Sequence, residues 1–264
     1  MKKIIISGSL IVAVAALVTG ATVAFFNDTE TSTGNVFTAG SIDLTVDSQG
    51  SSYNGNNLAG TNFPSKDLDQ EHFFVFEDIK PGDYGLRNIS LHAEANPAYA
   101  CLFIDKKDDQ ENVIVDPEAE AGDTDTPDGE LSQRLQLFAW EDRDGDQRYE
   151  PLAPNFEPPL MHDGPSSAPD SFFDITYEIF FDSTSGIGPL IQNNVRHIAL
   201  AWCAGNQNVV HNNSLGNITC DGSGMGDDSQ TDSFEADVVL YAEQVRNNPN
   251  FKCEDVVLPQ NLED

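Results

Sequence analysis

Basic residues are scarce in this sequence. Its 264 residues include 13 Lys and Arg against 44 Asp and Glu, which gives a formal net charge of −31 at pH 7. A surface of this sign repels nucleic acid and anionic lipid and attracts cations, so nucleic-acid binding is excluded as a function class. Solubility or life in high salt would explain the acidity. A dedicated role in cation binding would explain it too, and the two explanations are compatible.

The motifs of the common enzyme classes are also missing. The five histidines form no HExxH pair, and the chain has no GxSxG, no P-loop and no dinucleotide-binding glycine fingerprint. No set of residues has the spacing of a nucleophile and its base. The sequence therefore predicts that this protein is not an enzyme.

Long stretches with helical periodicity are few, whereas alternation of apolar and polar residues recurs along the chain and indicates half-buried strands. One short helix is predicted in GELSQRL (129–135). Eight segments are predicted to be strands: SIDLTVD (41–47), FFVFED (73–78), RNISLHA (87–93), AYACLFID (98–105), LQLFAW (135–140), FFDITYEIFF (172–181), HIALAWC (197–203) and SFEADVVLYAEQ (233–244).

Many short strands joined by Gly- and Pro-containing turns predict an all-β fold, a jelly-roll-like β-sandwich. Pro81-Gly82 is the pair that a type II turn favours. Strand segments occur at both ends of the chain without a linker between them, so we predict a single domain over residues 37–264. It has two long insertions, an acidic one at 105–130 and a Pro/Gly-rich one at 151–170 that is expected to wrap the surface.

The first 24 residues have the three parts of an export signal. Lys2 and Lys3 form a basic start, residues 4–18 are apolar, and small residues precede a cleavage point after Ala24. The uncharged stretch is also long enough for a spanning helix of about 20 residues, but its Ser, Thr and Gly residues weaken that alternative. The pattern predicts a secreted protein of the extracellular matrix or cell surface, which contacts the membrane only before cleavage.

The chain has four cysteines, all outside the leader. An even number of cysteines in an exported chain indicates two disulfides, for which three pairings are possible. We favour Cys203–Cys220 and Cys101–Cys253. Zinc binding is the alternative, but the sequence contains no CxxC pair.

One acidic loop, WEDRDGDQRYE (140–150), has the spacing of a calcium site. Asp142, Asp144 and Asp146 lie at alternate positions, and the Arg148 carbonyl and Glu150 continue the alternation. Calcium takes roughly six to eight oxygen ligands, and such a loop can wrap oxygens around one point. The loop is not an EF-hand because LQLFAW before it is a predicted strand, and a solvated acidic turn is the alternative. Four acids are weaker candidates to complete a site: Glu118, Glu120, Asp123 and Asp125.

The stretch AFFNDTETSTGNVFTAGSIDLTV (24–46) has an aromatic residue and Asn-Asp directly after the leader, then a polar spacer and F-x-A-G-x-(L/I)-D-L. This pattern resembles the TasA/camelysin family of exported biofilm proteins. DIKPGDYGLRNISL (78–91), NPAYACL (96–102) and QTDSFEADVVLYAEQVRNN (230–248) are similar to further family segments in the same order. Residues 105–230, which include the acidic loop, match the family less well.

The resemblance implies a jelly-roll domain, export followed by a dedicated signal peptidase, and assembly into extracellular fibres. In family fibres the freed N-terminal segment enters the β-sheet of the next subunit, and some members are classed as metallopeptidases. By this resemblance, residues 25–36 are predicted to be a flexible arm whose Phe25, Phe26, Asn27 and Asp28 begin a donor strand. The alternative is an arm that folds back on its own domain.

We therefore predict a secreted structural protein, the subunit of an extracellular fibre or biofilm matrix, stabilised by calcium. Its partners would be copies of itself joined head to tail, which grow into a filament because such contacts do not close, and beyond them other matrix proteins or the cell surface. Calcium or salt should favour assembly because it screens like charges. The alternatives are a monomeric calcium-binding adhesion module and, less favoured, a camelysin-like secreted metallopeptidase.

Overall fold

A computed structural model describes residues 29–32, 35–38, 44–68, 71–94, 96–124, 127–161 and 168–258. The leader lies outside these ranges, as do Phe25, Phe26, Asn27 and Asp28 of the predicted donor strand. Within the described ranges, no helix combines the length and the apolar character that crossing a bilayer requires.

The described residues are mainly strands joined by turns and loops. In this part of the chain, helical structure is limited to α1 (Asp116–Ala121), α2 (Leu131–Arg134) and four short 3-10 turns. The strands are β1 (Thr29–Ser32), β2 (Asn35–Thr38), β3 (Leu44–Ser48), β4 (Ser52–Tyr53), β5 (Asn56–Asn57), β6 (Phe63–Lys66), β7 (Tyr84–Ala93), β8 (Ala98–Gln110), β9 (Leu135–Glu141), β10 (Asp170–Ser171), β11 (Tyr177–Phe181), β12 (Asn194–Ala204), β13 (Asn206–Val209), β14 (Ile218–Asp221) and β15 (Ser233–Gln244).

Most of these strands form two large sheets that share one core, and β13 and β14 pair in a separate two-stranded sheet. The first has the order β1-β2-β15-β8-β11, and the second has the order β10-β9-β12-β7-β3-β6 with β4 also paired to β7. Buried side chains of both sheets, such as Leu102 and Leu240 from the first and Ile89 and Leu200 from the second, belong to one hydrophobic cluster. The predicted all-β sandwich is confirmed.

Strand β8 shows how the sequence produces this arrangement. Ala100, Leu102 and Ile104 point into the shared core, while Cys101 and Phe103 on the opposite face belong to a second buried cluster. Both faces of β8 are therefore covered, which explains why AYACLFI is apolar without interruption although side chains alternate across the sheet.

The C-terminal tail covers that outer face. The ring of Phe251 stacks on Tyr99 and Tyr241, with centroids 5.4 and 6.0 Å away. Cys253 is fully buried and forms a disulfide with Cys101 in β8. The second disulfide, Cys203–Cys220, joins β12 to β14. These are the two pairs favoured from the sequence.

The turn before β7 ends at Asp83, whose carboxylate collects several hydrogen bonds. Gly82 has a φ of +87°, and the Asp83 N–H donates to the Lys80 carbonyl at 2.9 Å, as expected for a type II turn with Pro81 before the glycine. The Asp83 carboxylate accepts hydrogen bonds from the Tyr53 hydroxyl at 2.6 Å, the Asn54 side chain at 2.7 Å and the Lys80 N–H at 2.7 Å. Asp83 thus ties the β4–β5 hairpin to the start of β7.

The prediction of a strand in FFVFED was wrong. Residues 73–78 have no strand partner among the described residues. Their rings instead pack on aromatic side chains of the sandwich: Phe76 lies 4.6 Å from Trp202 and 5.4 Å from Tyr53 between ring centroids. The segment has a strand-like composition because it supplies aromatic rings to the core, and not because its backbone joins a sheet.

The boundaries of the two insertions also differ from the prediction. Strand β8 continues to Gln110, so the acidic insertion begins inside a strand. Residues 157–161 do not wrap the surface as predicted but are buried. The Glu141 N–H donates to the Pro158 carbonyl at 3.0 Å and the Leu160 N–H donates to the Ala139 carbonyl at 2.9 Å, so this segment lies along β9.

Candidate functional site

The predicted calcium loop leaves the core at the end of β9. Asp142 follows this strand directly, and its N–H donates to the His197 carbonyl of β12 at 2.9 Å. The loop then turns through Gly145, where φ is +75°. Sheet pairing therefore fixes the first acid of the loop, and a glycine allows the chain to curl back over it.

Backbone N–H groups hold the acids of the loop in place. Gly145 and Gln147 donate to the two carboxylate oxygens of Asp142 at 2.9 and 3.0 Å. Asp146 donates to Asp144 Oδ1 at 3.2 Å, and Arg148 donates to Asp146 Oδ1 at 2.8 Å. Each aspartate is thus anchored through one or two oxygens to the backbone that follows it, as is usual for aspartates in tight turns.

The structure adds one acid that the sequence prediction missed. Glu157 is fully buried, and its two oxygens accept hydrogen bonds from the N–H groups of Arg143 and Glu150, each at 2.9 Å. Carboxylate oxygens of Asp142, Asp144 and Glu157 lie within 4.8 Å of one another. The sequence does carry a signal for it, because an isolated acid between apolar residues and prolines, PNFEPPLM (154–161), is a candidate buried carboxylate.

The other predicted ligands occupy different places. The exposed Asp146 belongs to no group of three converging acids among the described residues, and neither does Glu150. Glu150 accepts a hydrogen bond from the Asn155 side chain at 2.7 Å, and Arg148 uses its N–H to bind Asp146. The structure thus brings together Asp142 and Asp144 of the predicted set and adds Glu157. Calcium binding by the loop stays a prediction.

The three converging carboxylates lack a neutralising side chain among the contacts of the described residues. The guanidinium groups of Arg143 and Arg196 both pair with Glu141. Burial raises the pKa of Glu157 to about 8 although two N–H groups oppose the shift, and the carboxylates of Asp142 and Asp144 raise it further. Burial likewise raises the pKa of Asp142 against the effect of its two N–H donors. A bound cation would favour the charged forms of these carboxylates and so oppose the rise in their pKa.

Oxygen ligands determine which cation fits. Two ligands at roughly 2.3–2.6 Å from one calcium ion can be up to about 5 Å apart, which matches the spacing of the three carboxylates. Catalytic zinc sites normally contain histidine and an open position. No converging group in the described residues includes a histidine or a cysteine, so the acidic loop fits calcium better than zinc.

A second feature lies at the edge of the first sheet. Strands β1 and β2 pair antiparallel with each other, and β2 also pairs in parallel with β15 in the register Val238–Asn35 to Tyr241–Thr38. Every other strand pair of the described residues is antiparallel. Strand β2 pairs with four of the twelve residues of β15. The predicted arm thus includes backbone that lies beside the last strand of its own sandwich.

Comparison with known proteins bears on the N-terminal part of the chain. The family model described as camelysin metallo-endopeptidase matches residues 1–97, which include the leader, the arm and the turn at Asp83. The acidic loop and the four cysteines lie beyond this match. No curated protein matches the chain. Residues 1–97 are therefore similar to the camelysin family, which the sequence pattern after the leader also resembles.

Proposed function

We propose that this protein is a secreted structural subunit that assembles into an extracellular fibre or matrix by strand addition. The observation that carries the proposal is the pairing of β2 with β15. This pairing uses main-chain hydrogen bonds, which any copy of the same segment can make. An arm that leaves its own β15 exposes an edge of the sheet, and the arm of a neighbouring copy fits that edge in the same register.

The connection between arm and sandwich suits such an exchange. Residues 39–43 separate β2 in the first sheet from β3 in the second. Exchange of an identical element between copies is a low-cost route to association when a hinge connects the element to its domain. Since the donor of one copy would serve the acceptor of the next, the contact is head to tail and extends into a filament.

Secretion is supported by the export pattern of residues 1–24 and by the two disulfides. Disulfides persist in oxidising compartments outside the cytosol. The exported chain would lose Lys2 and Lys3 with the leader and so become more negative than −31. Copies of such a chain repel one another, and dissolved cations reduce the repulsion.

The assembly proposal is tested by blocking the strand without shortening the chain. Val36→Pro places a residue without an N–H in β2, opposite Val239 of β15. Thr29→Pro, at the outer end of β1, is the matched control. In electron micrographs of the chain that begins at Phe25, we expect fibres for wild type and Thr29→Pro and dispersed subunits for Val36→Pro. Fibres of wild-type length from Val36→Pro, or from a chain without residues 25–36, would contradict strand addition.

We also infer that calcium stabilises the acidic loop through Asp142, Asp144 and Glu157. Binding to the folded state alone stabilises it by about 2.7 kcal/mol when calcium is at 100 times its Kd. Asp142→Asn/Glu157→Gln should therefore melt at a lower temperature than wild type in calcium. In chelator its melting temperature should lie closer to that of wild type, because only the loss of N–H···O bonds to the carboxylates, partly offset by relief of repulsion, then separates the two proteins. Asp146→Asn is the control, and equal melting of all three proteins in calcium would reject the loop as a site.

Two alternatives predict different results in the same preparations. A monomeric calcium-binding adhesion module would stay monomeric in light scattering at every calcium concentration, with melting that still depends on calcium. A metallopeptidase, the activity named in the description of the matching family, would cleave casein in a chelator-sensitive way. The acidic groups of the described residues support the first of these alternatives more than the second because their ligands are all oxygens.

A further inference from the structure

A second group of acids lies about the acidic insertion, at a different place from the loop after β9. Its members come from four segments of the chain: Glu111 directly after β8, Glu118 in α1 with Asp123 just behind it, Glu130 at the start of α2, and Asp232 directly before β15. Ligand oxygens of Glu111, Asp123 and Glu130 lie within 4.8 Å of one another, and so do those of Glu111, Glu118 and Asp232. Glu111 is common to both groups.

The fold builds this arrangement through the backbone of the insertion. The Glu111 N–H donates to the Pro127 carbonyl at 2.8 Å, which closes the insertion at its base. The side chain of Asn112 donates to the Thr231 carbonyl at 2.6 Å, and the Thr231 hydroxyl donates to the Val113 carbonyl at 2.8 Å. The insertion is therefore clamped to the segment that leads into β15.

Glu118 is the most informative member of the group. Its side chain is fully buried, which is rare for an acid without a charged partner. Oε2 accepts a hydrogen bond from the Val115 N–H at 2.6 Å at the start of α1. Oε1 is shielded from solvent and receives no donor. Since a buried charged oxygen without a partner is costly, a ligand from outside the chain that contacts Oε1 would stabilise this position.

Two neighbours have the same deficit. Both carboxylate oxygens of Glu111 and Oδ1 of Asp232 are shielded from solvent and receive no N–H or hydroxyl donor. The carboxyl groups of Asp123 and Asp232 lie beside that of Glu111. Burial, followed by the charges of Glu118 and Asp232, raises the pKa of Glu111 to about 7. Glu111, Glu118 and Asp232, which come from distant parts of the chain, thus converge with oxygens that receive no N–H or hydroxyl donor from the described residues.

We propose that Glu111, Glu118, Asp123, Glu130 and Asp232 form a second calcium site, which fastens the acidic insertion to the start of β15. The ligand set consists of carboxylates alone, which favours a hard cation over zinc or copper. Five acids exceed what magnesium uses, because magnesium retains several waters and binds one or two carboxylates. The site does not depend on strand addition or on the loop after β9.

Hydrogen exchange followed by mass spectrometry tests this site on the full chain. We expect calcium to slow exchange in residues 109–124 and 228–236 of the wild-type protein, because a bound ion holds these segments together. Peptides from residues 141–161 report the loop after β9 separately. If millimolar calcium does not slow exchange in residues 109–124 and 228–236, the proposal is wrong, whatever the other peptides show.

Variants identify the ligands. Glu118→Gln keeps the size of the side chain and removes its charge, and Glu120→Gln makes the same change at an exposed position of α1. We expect Glu118→Gln to weaken calcium binding at this site by about tenfold or more in calorimetry and to abolish the local protection, with Glu120→Gln like wild type. If Glu118→Gln does not fold, Glu111→Gln takes its place. Wild-type protection and affinity in the folded variant would overturn the assignment.

Discussion

The two disulfides should differ in what they contribute to stability, and the difference can be calculated from chain separation. Cys101–Cys253 spans 152 residues and Cys203–Cys220 spans 17. A cross-link stabilises mainly by restricting the unfolded chain, and its effect grows with the logarithm of the loop length. On this account the first contributes about 5 kcal/mol and the second about 3 kcal/mol. Replacing both cysteines of a pair by alanine removes the cross-link.

The loss of packing is similar in the two replacements, so loop length should dominate the comparison. Cys101, Cys253 and Cys203 are fully buried, and Cys220 is partly buried. A protein of this size loses roughly 2–4 °C in melting temperature for each kcal/mol. Cys101→Ala/Cys253→Ala should therefore melt about 4–8 °C below Cys203→Ala/Cys220→Ala, with both below wild type.

Scanning calorimetry in chelator, which removes any contribution of bound cations, measures these differences. Limited trypsin digestion adds a local readout, because only in the first variant is the backbone around the already exposed Lys252 released from Cys101 and free to enter the protease. Equal melting temperatures, or a larger loss for the short loop, would refute the chain-entropy reasoning. Such a result would mean that native contacts of the tail, such as the stacking of Phe251, hold it in place without the cross-link.

Two further predictions concern single side chains. Hydrogen bonds from Tyr53, Asn54 and the Lys80 N–H outweigh burial and lower the pKa of Asp83. Its stabilising effect is therefore present above the unfolded pKa and is lost as the pH falls through the folded value. Asp83→Asn should cost about 1–2 kcal/mol of the free energy of unfolding in urea at pH 7 and less as the pH falls below about 4, and a cost that does not change with pH would contradict this. Phe76→Ala should lower the free energy of unfolding by about 2–3 kcal/mol because its ring packs on Trp202. The control is Val75→Ala, at a side chain that is 62% exposed, which should lower it by less than about 0.5 kcal/mol. Equal losses would show that the ring of Phe76 contributes no packing.

Regular alternation was the part of the fold that the sequence could predict. In β15 the apolar residues recur at every second position between charged ones, and its bounds, Ser233–Gln244, agree with the prediction. FFVFED is also rich in apolar residues, but none of the described strands pairs with it. Pairing depends on which strands become adjacent, and this information is spread over the whole chain. A local pattern can thus identify an apolar segment without deciding whether it is a strand.

The acidic loop could be predicted only in part, for a related reason. The spacing of Asp142, Asp144 and Asp146 suggested ligands supplied by one continuous loop. In the structure Asp146 instead binds the backbone of Arg148, and Glu157 enters because residues 157–161 lie along β9. The second acidic group is more dispersed still, since Glu111 and Asp232 are far apart in sequence. Spacing rules detect sites within one segment, whereas these sites depend on contacts between segments.

Both acidic groups follow from the shortage of basic residues. Lys and Arg total 13 against 44 acids, so most carboxylates have no cationic side chain available. Where such carboxylates are drawn together by the backbone, as at Glu118 and Glu157, neutralisation must come from protons or dissolved cations. Calcium would then act twice, within the chain at fixed sites and between chains by screening. Sodium at equal ionic strength screens but does not replace calcium at a carboxylate site. If sodium and calcium promote fibres equally while only calcium raises the melting temperature, the sites serve the subunit alone and assembly responds to charge in general.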